Sequence, residues 1–232
     1  MKVKYHFFGK DCIINRALSE RDEINESMTR KGFVADALLF VSQVHGADVV
    51  VVDEQSKIYG NQNLPKADAI VTNLKNIAVG IITADCSPIL LFDENQGIVA
   101  AAHAGWRGAR SGLIESVVMA MKNLGAKNIS AKIGPMIQQK SYEVSADFLA
   151  DFLVENSQNK DYFEIGLHPD KYRFNLPAYV ESKLRNSGVE MIENINLDTY
   201  ENEEKYFSFR RSNHRGEKDC GRNISVIVLN LN

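Results

Sequence analysis

Short apolar runs in the middle of the chain predict a series of β-strands. The runs are rich in valine, isoleucine and leucine, and several are apolar at consecutive positions, which is typical of strands buried on both faces. The predicted strands are residues 38–44, 49–52, 69–71, 77–82, 89–92 and 98–102, followed later by 189–192, 206–209 and 224–229. This pattern predicts a mixed sheet.

Apolar residues at helical spacing flank these strands. One helix is predicted from Ser111, which can cap it, to Gly125, which fits its C-terminal end. Two more helices are predicted from Ser145 onward and over residues 177–187. A mixed sheet covered by helices belongs to the α/β (α+β) class. No repeat or linker divides the chain, so we expect a single domain spanning residues 1–232.

Composition and charge limit the classes of function. The chain has 27 Lys plus Arg against 30 Asp plus Glu, and a formal net charge of −3. This mildly acidic balance argues against binding to nucleic acid polymers or to anionic membranes. The sequence has neither a signal peptide pattern nor an apolar run long enough to span a bilayer. Three widely spaced cysteines predict no disulfide framework, so we expect a cytoplasmic protein.

Three polar motifs follow predicted strands. They are Ser-Gln-Val-His-Gly at 42–46, Thr-Ala-Asp-Cys-Ser-Pro at 83–88 and His-Ala-Gly-Trp-Arg-Gly at 103–108. Polar residues at strand ends in a helix-covered sheet tend to line the ligand crevice. The three motifs are therefore the candidate functional site.

One cysteine and two histidines in these motifs could bind a metal. His45, Cys86 and His103 match a catalytic zinc site with three protein ligands and an open fourth position, and the same donors also suit copper. Their spacing matches no standard zinc motif. By spacing alone, a buried cysteine and two hydrogen-bonded loop histidines are the more common explanation.

Arginines and glycines near the third motif could bind an anion. Gly105 and Gly108 allow close approach of the backbone, Arg107 and Arg110 supply donors, and a helix is predicted to start near Ser111. A solvated basic turn explains the same residues equally well.

Other charged residues have two possible roles as well. Arg210, Arg211 and Arg222 could complete an anion pocket, although a solvated loop is the more usual role of such a cluster. Asp85 could carry a proton or orient a histidine, or could be a turn aspartate before Pro88.

Several motifs occur in the order of a known family. They are Gln-Val-His-Gly at 43–46, Ala-Asp-Ala at 67–69, Ala-Asp-Cys-Ser-Pro at 84–88, His-Ala-Gly-Trp-Arg-Gly at 103–108, Ile-Gly-Pro at 133–135, Tyr-Glu-Val at 142–144, Phe-Ser-Phe-Arg-Arg at 207–211 and Gly-Arg at 221–222. From about residue 38 to the C-terminus the chain resembles the YfiH-like laccase-domain family, whose members are also called purine nucleoside phosphorylases or polyphenol oxidases.

The resemblance implies a three-layer αβα domain with a short atypical N-terminal segment, 1–37. It implies a metal-dependent phosphorylase of adenosine, inosine and methylthioadenosine that also deaminates adenosine. Its partners would be a purine nucleoside and phosphate, its cofactor zinc or copper, and its state a monomer or homodimer. The implied site residues are the metal ligands His45, Cys86 and His103, the catalytic residues Asp85 and Arg107, and the substrate- or anion-binding residues Gln43, Arg110, Arg210, Arg211 and Arg222.

Other functions stay open. Cys86 could be the nucleophile of a Cys-His hydrolase or of a peptidoglycan-editing amidase-like enzyme. A copper polyphenol oxidase is a weaker alternative, because the chain has only five histidines. A non-catalytic regulatory member is a further alternative, because the arginine of the family's N-terminal Asn-Arg pair has no secure counterpart here. Arg16, Arg21 and Arg30 are the candidates for it.

The chain also departs from the family's pattern at three positions. Met136 and Asp198 stand where the family often has cysteine, and Cys220 stands where threonine is usual. None of these residues is an implied metal ligand.

Overall fold

The computed structural model describes residues 2–12, 21–55 and 64–230, the side chains of residues 21 and 22 excepted. The strands are β1 (Lys2–Phe8), β2 (Ala37–Leu39), β3 (Val49–Val52), β4 (Ala69–Thr72), β5 (Ile77–Thr83), β6 (Ser87–Asp93), β7 (Ile98–Ala104), β8 (Ser130–Ile133), β9 (Glu143–Ser145), β10 (Phe163–Ile165), β11 (Lys171–Phe174), β12 (Met191–Asn194) and β13 (Asn223–Asn230). The α-helices are α1 (Arg21–Arg30), α2 (Trp106–Arg110), α3 (Leu113–Asn123), α4 (Ala146–Glu155), α5 (Leu176–Asn186) and α6 (Phe209–His214). Short 3-10 helices span Gln139–Ser141 and Ser157–Tyr162.

Two mixed sheets form the centre of the fold. The smaller has the strand order β1-β13-β5-β2, and the larger has the order β12-β8-β6-β7-β4-β3. Each combines antiparallel pairs with parallel ones, which are β2 with β5 in the smaller sheet and β3 with β4 and β8 with β12 in the larger. A third, antiparallel sheet has the order β10-β11-β9.

The two large sheets pack against each other through one apolar layer. In β6, Leu90 lies in this layer, whereas Ile89 and Leu91 lie in the layer under the helices. Because successive side chains of a strand point to opposite faces, a strand buried on both sides needs apolar residues throughout. This burial on both sides explains the consecutive apolar runs in the sequence.

Helices cover the outer faces of both sheets. Helices α3 and α5 pack on the larger sheet, while Ile24 and Met28 of α1 pack against the smaller one. The predicted α/β class, with mixed sheet and helical cover, is confirmed. The expected order of helices outside and sheet inside is present, and among the described residues the sheet layer consists of two stacked sheets. Consecutive apolar residues along one strand predict burial on both faces, but they do not distinguish a helix from a second sheet as the cover.

Two helix starts agree with the sequence. Ser145 caps α4 through its hydroxyl, which accepts the Phe148 N–H at 3.3 Å, and Asn175 caps α5 by accepting the Ala178 N–H at 3.0 Å. The third does not agree. Ser111 ends α2, and Gly112, at φ 92°, precedes α3 instead.

One strand prediction was wrong, and a second was wrong in part. Residues 206–209 form no strand, because the Ser208 hydroxyl accepts the Arg211 N–H at 3.2 Å and starts α6 at Phe209. Of residues 38–44, only Leu38 and Leu39 belong to a strand. The chain then turns toward His45, whose φ is 60°.

Within the described part of the chain, each helix is too short or too polar to cross a lipid bilayer. The cytoplasmic location and the monomeric or homodimeric state stay predictions.

Candidate active site

Three side chains from the three polar motifs converge at one end of the stacked sheets. His103 lies in β7, Cys86 lies where the chain crosses from β5 in one sheet to β6 in the other, and His45 lies in the loop after β2. Their candidate ligand atoms all lie within 4.8 Å of one another. The His45 and His103 rings meet edge to face, with centroids 4.7 Å apart. We call these three residues the triad.

A buried aspartate that the sequence analysis did not select as a site residue holds two members of the triad. Asp68 Oδ1 lies 2.8 Å from His103 Nδ1 and also accepts the His45 N–H at 2.9 Å. Its Oδ2 accepts the N–H groups of Val44 at 3.1 Å and Gly46 at 2.6 Å. Burial by itself would raise the pKa of Asp68, but the His103 ring and these amides lower it. The signal in the sequence that could have pointed to Asp68 as a site residue was its position between two alanines, directly before a buried strand.

The backbone around the triad is closely fitted. His45 has a positive φ of 60°, which side-chain-bearing residues rarely adopt, and three successive amides bonded to Asp68 keep it there. A Cβ on Gly105 would lie 2.8 Å from Cys86 Sγ and 3.4 Å from His45 Cδ2. Glycine at position 105 therefore leaves room for the thiolate.

Cys86 and His103 shift each other's protonation. Burial by itself would raise the pKa of the Cys86 thiol, but the imidazoles of His103 and His45 outweigh it and lower the pKa to about 6. Burial would lower the pKa of His103, but Cys86 and Asp68 outweigh it and raise the pKa to about 9. Each group thus favours the charged form of the other, the thiolate of Cys86 and the imidazolium of His103.

The donor chemistry of the triad fits zinc or copper. A thiolate and two imidazoles are three of the four ligands of a catalytic zinc site, and copper accepts the same donors. Since Asp68 holds Nδ1 of His103, Nε2 is the ring atom left to act as a ligand. A carboxylate on the second nitrogen is the usual partner of a metal-binding histidine.

Two cavities open on the triad. One has a volume of about 420 Å³ and is lined by Val41, Ser42, Gln43, Leu64, Ile82, Thr83, His103 and Arg222; we call it the Arg222 cavity. The other has a volume of about 330 Å³ and is lined by Asp85, Trp106, Arg107, Ile137, Tyr142, Leu176, Arg210 and Asn213; we call it the Arg107 cavity. Four residues line both, namely His45, Ala84, Cys86 and Phe209. A cleft of about 600 Å³ elsewhere contains no member of the triad.

Two arginines make the Arg107 cavity cationic. The Arg107 guanidinium carbon lies 5.1 Å from the centre of the Trp106 ring, and that of Arg210 lies 5.2 Å from the centre of the Tyr142 ring. Arg210 Nη1 also donates to the backbone carbonyl of Glu143 at 2.7 Å. Aromatic faces hold both cations beside Cys86, an arrangement suited to a small anion.

The comparisons with known proteins show the family. The family described as multi-copper polyphenol oxidoreductase laccase has a model that matches residues 19–230 of the chain. The chain belongs to this laccase-domain family.

Two family members that are similar to this chain are named after an enzyme activity. A protein named purine nucleoside phosphorylase from Rickettsia prowazekii is 39% identical over 237 residues, covering 98% of this chain and 96% of its own. Another of that name, from Rickettsia conorii, is 38% identical over 216 residues, covering 93% and 88%. The crystal structure of the hypothetical protein YfiH from Bacillus licheniformis has the same fold, with a TM-score of 0.81 at 24% identity over 98% of this chain and 92% of that one.

The laccase-domain site does not include every arginine predicted for it. Arg110 faces away, since its Nε donates to Glu155 at 2.7 Å and its Nη2 to the Asp151 carbonyl at 2.9 Å. Arg211 is buried and donates to the carbonyls of Thr199, Tyr200 and Tyr206. Neither residue lines a cavity at the triad. In the structure both guanidinium groups bond protein atoms outside the cavities, and their anion-binding role stays a prediction.

Two other predicted residues line the Arg222 cavity but are partly engaged by protein atoms. Gln43 uses both ends of its amide on the backbone of Ile82, at 2.7 and 2.8 Å. Arg222 Nη1 donates to the carbonyls of Cys220 and Gly221. Arg222 reaches the site because Asn223, the next residue, pairs with Thr83 at the end of β5.

Asp85 links the site to α6. Its Oδ1 accepts the Thr199 hydroxyl at 2.6 Å, and its Oδ2 accepts the Arg210 N–H at 2.6 Å. Burial raises its pKa against the opposing effect of these hydrogen bonds. With both oxygens engaged, Asp85 is better suited to hold Arg210 in position than to carry a proton.

The N-terminal arginine stays unassigned. Arg16 and the side chain of Arg21 lie outside the described residues. Arg30 donates to Ser27 on α1 and lies 3.8 Å from Glu26, and it lines neither cavity.

Proposed function

We propose that this chain is a metal-dependent purine nucleoside phosphorylase, with phosphate in the Arg107 cavity and nucleoside in the Arg222 cavity. The observation that carries the proposal is that two cavities, a smaller one lined by two arginines and a larger one lined by a single arginine, meet at the same cysteine, Cys86. The names of the Rickettsia relatives support it. Two substrates that must react with each other need adjoining sites of these two kinds.

The reaction consists of one bond formed and one broken. A phosphate oxygen bonds to C1′ of the ribose, and the bond from C1′ to the purine nitrogen breaks, with the electron pair leaving on the base. The base takes up a proton, and the products are free purine and ribose 1-phosphate. Holding the two reactants in contact can supply on the order of 7–11 kcal/mol of the barrier lowering.

Each residue of the site has a defined task in this proposal. Arg107 and Arg210 bind the phosphate oxygens and neutralise their charge. Asp85 is a positioning residue, because its carboxylate accepts the Arg210 N–H at 2.6 Å. Asp68 positions His103 and the His45 loop in the same way.

Zinc, or alternatively copper, would be held by His45, Cys86 and His103. When bound there, the metal would act as a Lewis acid that polarises an oxygen of the substrate or of water. The polarised water is the reason to include adenosine deamination as a second activity of the same site. Deamination would give inosine and ammonia without any need for phosphate.

One assay separates these activities. Purified protein is incubated with adenosine, inosine or methylthioadenosine, with and without phosphate, and the products are separated by chromatography. We expect free base and ribose phosphate only when phosphate is present, and inosine from adenosine in either case. The Cys86→Ala variant should lose activity, whereas Cys12→Ala, in the core beside α1, should retain it. Equal turnover by Cys86→Ala would sink the proposal.

A second candidate, a Cys-His hydrolase acting on amides, is favoured by one observation. Cys86, His103 and Asp68 form a thiolate, imidazolium and carboxylate in sequence, with the pKa of Cys86 lowered to about 6. In this alternative the Cys86 thiolate attacks the amide carbonyl and His103 protonates the leaving amine. Elemental analysis distinguishes the two, because a tightly ligated thiolate is not available for attack. A peptide-like amide that traps Cys86 covalently would support the hydrolase.

The remaining alternatives predict other outcomes of the same measurements. A copper polyphenol oxidase would contain copper and oxidise phenols. A non-catalytic member would bind metal and leave every nucleoside unchanged.

A further inference from the structure

Phe209 occupies an unusual place for an aromatic residue. It is the first residue of α6, it is 53% exposed, and it lines both the Arg222 cavity and the Arg107 cavity. Aromatic rings dominate the cores of proteins, and a ring left open to a cavity beside a reactive cysteine retains an unused apolar face. Among the described residues, no ring contact involves Phe209.

The backbone of Phe209 is held on both sides. Before it, the Ser208 hydroxyl caps α6 by accepting the Arg211 N–H at 3.2 Å. After it, the Arg210 N–H donates to the buried carboxylate of Asp85 at 2.6 Å. A second hydrogen bond, from the Thr199 hydroxyl, holds that carboxylate in turn. The ring therefore projects from a fixed point, as a binding platform requires.

The Arg222 cavity matches a flat, weakly polar group. Val41, Leu64 and Ile82 contribute apolar surface to it, and its lining includes one arginine where the other cavity has two. A purine base has two apolar faces and a polar edge. Of the two cavities, the larger one, with a single arginine, is the better place for an uncharged base, and Phe209 lines both cavities at their boundary.

We propose that the Phe209 ring is the platform on which the nucleoside base stacks, and so selects substrates with a planar aromatic base. This inference rests on the proposed function for the identity of the ligand. Stacking uses the π-face that every base has, so it does not distinguish adenosine from inosine. Phe209 contributes to the binding of the base and not to the binding of phosphate.

The test measures binding without turnover. Equilibrium dialysis with radiolabelled inosine, in phosphate-free buffer, is carried out on the wild type, Phe209→Ala, Phe209→Leu and Phe209→Tyr. Replacing an aromatic that stacks on a base should weaken nucleoside binding about 10-fold or more in the alanine variant. Leucine keeps apolar bulk without a ring and should recover only part of the loss, whereas tyrosine should recover most of it.

A second ligand and a control variant separate stacking from general damage. Ribose 1-phosphate has no base, so its affinity should be the same in wild type and Phe209→Ala. Met191→Ala removes another exposed apolar side chain, 72% exposed on β12 and outside both cavities, and should change neither affinity.

The outcomes are distinguishable from those for the proposed function. If Phe209→Ala binds inosine as tightly as wild type, or loses ribose 1-phosphate equally, the platform is overturned even in an active phosphorylase. If the wild type binds nucleosides without cleaving them and Phe209→Ala loses that binding, the platform stands and the phosphorylase proposal fails. If the wild type binds no nucleoside, both are overturned.

Discussion

Asp68 Oδ1 lies 2.8 Å from His103 Nδ1, and the same carboxylate accepts the N–H of His45 and of its two neighbours. One buried carboxylate therefore orients two of the three side chains of the triad. It sets which nitrogen of His103 faces Cys86, and it holds His45 in a backbone conformation of positive φ. The first prediction tests this dependence.

Asp68→Asn should weaken metal binding by about 10- to 100-fold, the usual effect of removing a carboxylate behind a ligand histidine. The new amide N–H would also face a backbone N–H, which should reduce the free energy of unfolding by about 1–3 kcal/mol. Competition with a chromophoric chelator gives the metal affinity, and urea unfolding gives the stability.

Asp93→Asn is the matched control for Asp68→Asn. Asp93 is equally buried and accepts the backbone N–H groups of Gln96, Lys127 and Asn128, far from the triad along the sheet. It should lose stability without any change in metal affinity. Equal metal affinity in both variants and wild type would contradict the positioning role of Asp68.

Gly105→Ala should damage the triad with little effect elsewhere. The new Cβ would lie 2.8 Å from Cys86 Sγ, closer than atoms in proteins normally approach, so the thiolate must move. We expect a fall in metal affinity and in nucleoside cleavage of about 10-fold or more, since a misplacement of about 1 Å can cost a hundredfold in rate. Gly46→Ala, with its nearest atom at 3.6 Å, should have a smaller effect. A fully active Gly105→Ala would show that the close fit is not needed.

Cys86 should be the reactive thiol of the metal-free protein. Its pKa is lowered to about 6 by His103 and His45 despite burial, whereas burial raises the pKa of Cys12. After removal of metal with a chelator, alkylation by iodoacetamide should rise with pH around a midpoint near 6 and label Cys86 well before Cys12. Mass spectrometry of the peptides gives the rates, and added zinc should protect Cys86. A midpoint near 8.5, the value of an ordinary thiol, would refute the thiolate.

Arg107→Gln should raise the KM for phosphate about 10- to 100-fold, since a hydrogen bond to a charged group contributes about 1.5–3 kcal/mol. Arg110→Gln is the matched control three residues along the chain. Its guanidinium pairs with Glu155 at 2.7 Å outside the cavity, so the KM should not change and stability should fall by about 1 kcal/mol or less. Steady-state kinetics at varied phosphate checks both. A raised KM for phosphate in Arg110→Gln, with an unchanged KM in Arg107→Gln, would show that Arg110 binds the anion instead.

Much of the fold could be predicted from local patterns. Runs such as Ile77–Thr83 and Ile98–Ala104 are strands because a strand buried on both faces must be apolar at every position. The caps at Ser145 and Asn175 could be predicted because capping involves residues only three positions apart. The start of α6 is decided only in part by such a local cap, at Ser208, because the Arg210 N–H also bonds Asp85, which lies 125 positions earlier in the chain.

The sequence by itself determined that His45, Cys86 and His103 stand in motifs that follow buried strands, and strand ends meet at the edge of a sheet, so their proximity could be expected. Only the tertiary structure decided which charges surround them. Arg107 and Arg110 are three residues apart on one short helix, yet one lines the cavity and the other pairs with Glu155. The reason is that the direction of a long side chain depends on the partners that other elements bring near it, and Asp68, Asp85 and Glu155 all come from segments distant in the chain.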